Sequence, residues 1–188
     1  ELVRFKNNKE VVVFDDAIRG RIETDTTDLG DFVIAKSITE PLFHLAVVVD
    51  DYEEGVTHVI RGEDHIPNTP RQILIARALG FPSPTYAHLP LVLSEDRTKL
   101  SKRKGALPVT SYRDAGYLPE ALLNFMAFIG WNPGGEREIY SLAELVELFD
   151  ISKIHKGGAI FNKEKLAWMN KEHMRLQERD VQLSSIKK

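Results

Sequence analysis

A strand–helix–strand pattern in the first half of the chain constrains the fold more than any other feature. Residues 57–61 and 86–93 predict two strands, and residues 70–79 between them carry apolar side chains at helical spacing. Thr69 is placed to cap that helix and Gly80 to end it. Two buried strands joined by a helix predict a parallel βαβ unit, and such sheets bind ligands beyond the carboxyl ends of their strands.

The segments before this unit are typical of strands. Residues 11–15 and 18–23 predict two strands joined by a tight turn, and residues 31–36 predict a third. Together they suggest a small antiparallel β unit at the N-terminus. The continuous apolar run at 45–49 predicts a further strand, buried on both faces of a sheet.

From residue 109 onward the pattern is helical. Pro119 begins a helix that is apolar almost all round and is therefore expected to be buried. Ser141 and Glu144 form a capping box ahead of another apolar segment, and Asn162 is placed to cap the last helix. The chain is thus predicted to be an α/β protein whose second half is mostly helical.

Composition excludes several classes of protein. The net charge of −3 means that any nucleic-acid binding must depend on a local patch. There is no cysteine, which excludes disulfides and thiolate metal ligands, and no apolar run approaches the ~20 residues needed to span a bilayer. The histidines lack metal-ligand spacing, so no metal site is predicted. The chain begins at Glu1 rather than Met, and both ends are expected to be cut.

A basic stretch carries the strongest functional pattern. Five of the eight residues from Arg97 to Lys104 are lysine or arginine, and Ser101 lies among them. Lysines on a mobile loop suit a polyphosphate, because each is a point charge with three donors and the loop can close over developing charge. A solvated basic loop is the alternative for an arbitrary run of this kind. Because residues 94–104 follow one predicted strand and 61–64 follow the other, both are expected to face one site.

The cluster that follows residue 60 is also suited to ligand binding. Gly62 permits close approach of the backbone to a ligand. Arg61 can bind a carboxylate through its two-pronged guanidinium, and Asp64 can accept hydrogen bonds from a ribose or an amine. A salt-bridge network at the strand end is the alternative.

Longer runs of the sequence resemble a known enzyme family. Residues 99–103, Lys-Leu-Ser-Lys-Arg, are similar to the Lys-Met-Ser-Lys-Ser signature of class I aminoacyl-tRNA synthetases. The family most closely resembled is the bacterial glutamyl-tRNA synthetases. Its second Rossmann half is matched by residues 43–51, 56–72 and 88–91, and its stem-contact domain by residues 117–124, 130–131, 157–161 and 165–170. The resemblance extends from about Val11 to Met174.

The resemblance implies a domain organisation. Residues 1–42 correspond to the end of the inserted acceptor-binding region, 43–98 to the second half of the Rossmann catalytic domain, and 99–188 to the signature loop with the helical stem-contact domain. None of the 6 histidines begins the family's second signature, His-Ile-Gly-His. The chain is therefore expected to be an internal piece that lacks the first Rossmann half and the anticodon-binding domain.

The function implied is ATP-dependent joining of glutamate to tRNA(Glu) by way of glutamyl-adenylate, with Mg²⁺ accompanying ATP and no permanently bound cofactor. Matched by position, the catalytic residues are Lys99, Ser101 and Lys102; the ATP contacts are Asp64, His65, Leu91, Val92, Lys99 and Lys102; the glutamate pocket contains Phe43, Val47 and Arg61; and the tRNA contacts are Arg103 and Lys104. Some members of the family carry tyrosine and asparagine where this chain has Phe43 and Val47. The enzyme implied is a cytoplasmic monomer without a membrane partner.

Three alternatives remain at this stage. A glutaminyl-tRNA synthetase would bind a carboxamide, which suits Arg61 less well than a carboxylate. A glutamyl-queuosine-tRNA synthetase is shorter, and the extended helical region after Lys104 argues against it. A non-catalytic tRNA-binding module is the third, because half of the active site is missing and the isolated chain is expected to be inactive.

Overall fold

The computed structural model describes residues 1–101 and 107–177, and the chain divides into two compact units, Glu1–Leu89 and Pro90–Lys188. The first unit contains β1 (Val3–Phe5), β2 (Val11–Asp16), β3 (Gly20–Asp25), β4 (Phe32–Ser37), β5 (Glu40–Pro41), α1 (Phe43–Glu53), β6 (His58–Gly62), α2 (Thr69–Leu79) and β7 (Thr85–Leu89). The second contains β8 (Val92–Leu93), α3 (Val109–Asp114), α4 (Pro119–Ala127), α5 (Leu142–Leu148), β9 (Ala159–Ile160) and α6 (Lys163–Leu176). Within the described ranges, no helix is both long enough and apolar enough to cross a bilayer.

The predicted βαβ unit is confirmed. Strands β6 and β7 are parallel neighbours joined through α2, and their register places Arg61 beside His88 at the carboxyl ends. Ile73 and Leu74 of α2 pack against Val12 and Tyr86 of the sheet in one buried cluster. The core therefore lies directly beneath the edge at which a ligand is expected.

The N-terminal strands are divided between two sheets. Strands β2 and β3 form the predicted antiparallel hairpin, but β2 also pairs in parallel with β7, at Asp16 and Tyr86. The result is a four-stranded sheet in the order β3-β2-β7-β6, whereas β4 lies in a separate sheet with β1 and β5. The hairpin therefore extends the parallel sheet and brings Asp16 to the edge at which a ligand is expected.

The strand predicted at residues 45–49 is wrong, because these residues lie inside α1. A short apolar run has no periodicity that separates a buried strand from a buried helix. In the helix, Leu45, Val47 and Val48 pack with Ile75 and Ala76 of α2. The run is apolar because it faces this helix–helix contact.

The single strand predicted at residues 86–93 is interrupted at Pro90. Proline has no N–H to donate to a sheet, and β7 ends at the residue before it. The residues that follow form β8, which pairs in parallel with β9 in the second unit. Residues 86–93 therefore contribute strands to two different sheets.

The second unit is built on α4 and α6. Phe125, Leu166 and Met169 form its buried centre. The prediction that α4 is buried on all sides is wrong, because Leu123 is 44% exposed and Met126 is 53% exposed. The helix buries one side against α6 and leaves these apolar residues uncovered within the described structure.

The helix caps predicted at Ser141 and Asn162 are confirmed in this unit. The Ser141 hydroxyl accepts the Glu144 backbone N–H, and the Glu144 carboxylate accepts the Ser141 backbone N–H at 2.8 Å. Asn162 caps α6 in the same manner through the Lys165 N–H. In α2, by contrast, Thr69 is the first helical residue and makes no N-terminal cap.

Removing the capping box should weaken the second unit measurably. Ser141→Ala deletes the acceptor for the Glu144 N–H, and loss of such a cap costs about 1 kcal/mol. We expect the free energy of unfolding in urea to fall by that amount. Ser152→Ala is a comparison with less effect, because the Asp150 carboxylate still accepts the Ser152 backbone N–H. Equal losses in the two variants would contradict the prediction.

Candidate functional site

The carboxyl end of β6 leads straight into the candidate site. After Gly62 the chain turns through a 3₁₀ helix, Glu63–Asn68, which carries Asp64 and His65. A Cβ on Gly62 would lie 2.5 Å from the Asp64 carboxylate oxygen, so the missing side chain leaves room for Asp64 to fold over the strand end. His65 in turn lies with its ring 6.1 Å from that of Phe43, at the start of α1.

Helix α1 begins beside this region, and three of its residues, each one turn apart, have different surroundings. Phe43 is 54% exposed, so its ring is open to solvent beside His65. Val47, one turn further on, packs against the core shared with α2. Burial raises the pKa of Asp51, one turn further again, and the charge of Arg61 opposes that shift.

Arg61 is held by protein groups on one edge of its guanidinium. Nε donates to His88 Nε2 at 3.2 Å, and Nη2 donates to Thr69 Oγ1 at 2.9 Å and to Gln72 Oε1 at 2.7 Å. Tyr86 supports it from below, with the guanidinium carbon 5.6 Å from the ring centre. Nη1 has no hydrogen-bond partner within the described ranges and is not enclosed by protein atoms.

Two arginines, Arg61 and Arg71, act on the titratable groups beside the end of β6. Burial lowers the pKa of the Arg61 guanidinium, although an arginine side chain keeps its proton in proteins. Burial also lowers the pKa of His44, and the charges of Arg71, Arg61 and His65 add to that shift. The guanidinium groups of Arg61 and Arg71 thus lie near one strand end, where they can attract an anionic ligand, and the Asp51 carboxylate is the acidic group that acts on Arg61.

A buried pair lies behind Arg61. His88 Nδ1 is 2.6 Å from Asp16 Oδ2, and both side chains are inaccessible to solvent. The Asp16 carboxylate also accepts the backbone N–H groups of Ile18, Arg19 and His88. These hydrogen bonds lower the pKa of Asp16 against the effect of burial, which acts to raise it.

The sequence prediction did not include Asp16, His88, Thr69 or Gln72. Two of these residues had a detectable feature, since Asp16 ends a β-branched run and His88 is a polar residue inside an apolar one. Neither feature shows that the two meet, because 72 residues separate them. The pairing follows from β2 joining β7 in the sheet, which no local pattern predicts.

The other predicted site residues belong to the second unit. Leu91 and Val92 are partly buried, and the N–H of Leu100 donates to the carbonyl of Val92 at 2.9 Å. Lys99 forms an antiparallel bridge with Leu93 and is exposed, as is Ser101. The predicted residues Lys102, Arg103 and Lys104 lie outside the described residues.

A tight turn fixes the start of the basic stretch. Asp96 accepts hydrogen bonds from the Ser94 hydroxyl at 2.7 Å and from the Thr98 N–H at 3.0 Å. Arg97 adopts a left-handed conformation with φ of 60°. The residues between β8 and Lys99 therefore form a closed, hydrogen-bonded loop.

Comparison with known proteins agrees with this architecture. The family model described as tRNA synthetases class I (E and Q), catalytic domain, matches residues 1–168. The chain is 55% identical over 175 residues to the glutamate–tRNA ligase of Aquifex aeolicus, which is 92% of this chain and 37% of that protein. It is 50% identical over 185 residues to the glutamate–tRNA ligase of Carboxydothermus hydrogenoformans, which is 97% of this chain and 38% of that protein.

A comparison with solved structures also points to glutamate–tRNA ligases. A glutamate–tRNA ligase from Elizabethkingia meningosepticum, crystallised in complex with its amino acid, superposes with a TM-score of 0.88 at 36% identity, covering 96% of this chain and 40% of that one. This chain therefore spans a little over a third of the length of the curated relatives that it matches. The α/β architecture and the family inferred from the sequence are confirmed. Because the family model covers most of its residues, the chain belongs to the catalytic domain of the class I tRNA synthetases of the E and Q type.

Proposed function

We propose that this chain is the part of a glutamate–tRNA ligase that holds the side-chain carboxylate of glutamate and one side of ATP. The observation that carries the proposal is Arg61, fixed at the carboxyl end of β6 by hydrogen bonds from Nε and Nη2, with Nη1 neither fully enclosed nor hydrogen-bonded to a described residue. A fixed cation at this position favours a carboxylate over a neutral carboxamide. The three relatives at 49%, 50% and 55% identity, all glutamate–tRNA ligases, support the same choice of amino acid.

The reaction proposed has two steps. In the first, an oxygen of the glutamate α-carboxylate attacks the α-phosphorus of ATP, and the bond to pyrophosphate breaks as glutamyl-adenylate forms. In the second, a hydroxyl at the 3′ end of the tRNA attacks the acyl carbon, loses its proton, and displaces AMP. Mg²⁺ enters with ATP as part of the substrate. Neither step needs a covalent bond to the protein, so positioning and charge stabilisation account for catalysis.

The remaining roles are proposed from the family resemblance alone. ATP contacts are assigned to Asp64, His65, Leu91, Val92, Lys99 and Lys102, the glutamate pocket to Phe43, Val47 and Arg61, the catalytic loop to Lys99, Ser101 and Lys102, and tRNA contacts to Arg103 and Lys104. The lysines would stabilise negative charge on the phosphate oxygens and on departing pyrophosphate. The side chain of Val47 faces the core, so of the two pocket residues on α1 we assign the ligand-facing position to Phe43.

We further propose that the complete enzyme is a cytoplasmic monomer that uses tRNA(Glu). The alternative of a glutaminyl enzyme has less support, because the relatives compared in sequence are glutamate ligases. A non-catalytic tRNA-binding module is the competing function of this chain taken alone, since it lacks the His-Ile-Gly-His signature.

Exchange of labelled pyrophosphate into ATP tests the proposal. The full-length protein is expected to catalyse exchange that depends on glutamate and is not supported by glutamine. The present chain alone is expected to give no exchange above a protein-free blank. Exchange driven equally by glutamine would contradict the assignment of substrate, and exchange by the present chain would show that it contains a complete active site.

A further inference from the structure

The interior behind Arg61 contains a continuous chain of hydrogen bonds drawn from three strands. Asp16 ends β2, His88 lies in β7 and Arg61 lies in β6. The contacts run from Asp16 Oδ2 to His88 Nδ1 at 2.6 Å, and from His88 Nε2 to Arg61 Nε at 3.2 Å. The exposed surface begins only beyond the guanidinium, because Asp16 and His88 are both buried.

The arrangement of donors fixes the proton on His88. The Nε–H of Arg61 can only donate, so the His88 Nε2 atom that faces it accepts, and the Thr69 hydroxyl, whose oxygen lies 3.1 Å from the same nitrogen, can rotate to donate to it as well. The ring is therefore neutral with its proton on Nδ1, which donates to the Asp16 carboxylate. Burial lowers the pKa of His88, and the phenyl and phenol rings of Phe14 and Tyr86 lie against it, so the neutral form agrees with its surroundings.

We propose that Asp16 and His88 are positioning residues for Arg61. The pair holds His88 Nε2 as a hydrogen-bond acceptor against the Arg61 Nε–H. The edge of the guanidinium formed by Nε and Nη2 is therefore hydrogen-bonded to the protein, and Nη1 is the nitrogen left for a ligand. Thr69 and Gln72 complete this edge by accepting from Nη2. The positioning is a property of this chain alone, whereas the identity of the ligand as glutamate rests on the proposed function.

The proposal changes the expected mode of carboxylate binding. A guanidinium that binds a carboxylate with two parallel hydrogen bonds uses two of its nitrogens. Here two of the three nitrogens already donate to protein acceptors. The carboxylate is then expected to contact Nη1 from the open side, and its position depends on the angle at which His88 holds the guanidinium.

Asp16→Asn tests the positioning with a change of a single atom. The oxygen that accepts the Ile18 and Arg19 N–H groups must remain an oxygen, so the new NH₂ group faces His88 Nδ1. An NH₂ group cannot accept the Nδ1 proton, and the proton is expected to move to Nε2. The His88 Nε2–H group and the Arg61 Nε–H group are then two donors that face each other, so the hydrogen bond between them is lost.

Nitrogen-15 NMR of the ring and of the guanidinium measures both effects in the present chain. We expect the unsubstituted protein at neutral pH to carry the His88 proton on Nδ1 and to protect the Arg61 Nε–H from solvent exchange. In Asp16→Asn the proton should lie on Nε2, and the Nε–H should exchange about tenfold faster or more, the scale of one lost hydrogen bond. Asp15→Asn is the matched control, because Asp15 is the exposed neighbour and undergoes the same change of charge.

Several results would overturn the proposal. One is a His88 ring that carries its proton on Nε2 in the unsubstituted protein, and this measurement needs no variant to fold. Another is an Asp16→Asn protein with an unchanged ring and unchanged Nε–H exchange. A third is an equal response in Asp15→Asn, since that would indicate a general effect of charge.

A second pair of variants separates positioning from packing. His88→Gln supplies a carbonyl that can accept the Arg61 Nε–H in place of Nε2, whereas His88→Leu supplies none. Protection of the Nε–H is expected to survive in His88→Gln and to be lost in His88→Leu. Equal protection in the two variants would overturn the role of His88 as an acceptor.

Kinetics of the full-length protein then test the ligand separately. Asp16→Asn is expected to raise KM for glutamate about tenfold while kcat and KM for ATP change much less, because the lost interaction positions a binding group. If the NMR response occurs and KM for glutamate does not move, the assignment of Arg61 to glutamate is overturned and the positioning stands. If neither responds, the positioning is overturned.

Discussion

Replacing Arg61 by alanine in the full-length protein is expected to lower kcat/KM for glutamate by tens to thousands of fold. The side chain is the cation at the carboxyl end of β6, and its Nη1 group is open to a ligand. Truncating one partner of a buried, hydrogen-bonded charge pair costs about 2–5 kcal/mol, which corresponds to this range of rates. Glutamate-dependent pyrophosphate exchange at varied glutamate concentration measures the effect, and a thermal melt shows whether the variant remains folded.

Arg77→Ala is the control for this substitution. Arg77 lies in α2, which also supplies Thr69 and Gln72 to Arg61, but its guanidinium forms a half-exposed ion pair with Glu10 at 3.1 Å. Pairs of this kind contribute about 0–1 kcal/mol, so glutamate kinetics should hardly change. An Arg61→Ala enzyme with kinetics like those of Arg77→Ala would show that the carboxylate is bound elsewhere.

Gly158→Ala is expected to destabilise the second unit by about 1–3 kcal/mol, the usual cost of forcing an extra methyl group into a packed site. A Cβ at this position would lie 2.8 Å from Leu93 Cδ1 and 3.0 Å from the carbonyl oxygen of Leu91. The Leu91 oxygen belongs to the backbone and cannot rotate away. The clash would separate β8 from β9, the pairing that anchors the entry to Lys99.

Gly157→Ala provides a comparison one residue away. A Cβ on Gly157 would meet nothing within 4 Å, and the residue does not adopt a positive φ. Its effect on the free energy of unfolding should lie within about 0.5 kcal/mol of zero. Urea titrations of the two variants give the comparison directly, and equal stabilities would mean that β8 and β9 can separate at little cost.

Local sequence patterns predicted the structure correctly where the contacts that determine it are close in sequence. The capping box of Ser141 and Glu144 and the cap at Asn162 were predicted correctly, because each cap is made within three residues. The end of α2 at Gly80 was predicted for the same reason, since a left-handed residue after a helix favours glycine. Resemblance to a known family added the fold and the candidate residues, Arg61 among them.

Local patterns failed where a segment's environment decides its structure. The run at residues 45–49 forms a helix because it packs against α2, and five apolar residues carry no period that distinguishes the two outcomes. Pro90 divides a continuous apolar run because its missing N–H ends one sheet. The exposed side of α4, with Leu123 and Met126, shows that an apolar sequence does not specify which side is covered.

The sequence by itself determined the parallel βαβ unit, the end of α2 at Gly80, the caps at Ser141 and Asn162, and the presence of a basic residue at the carboxyl end of β6. These features follow from spacing, turn residues and strand length, all of which act over a few residues. Only the tertiary structure decided how Arg61 is held, because Asp16 and His88 are 72 residues apart and meet through the pairing of β2 with β7. Which nitrogen of Arg61 is left for a ligand depends on the acceptors around the other two, and these come from one strand (His88 of β7) and one helix (Thr69 and Gln72 of α2) that only folding brings together.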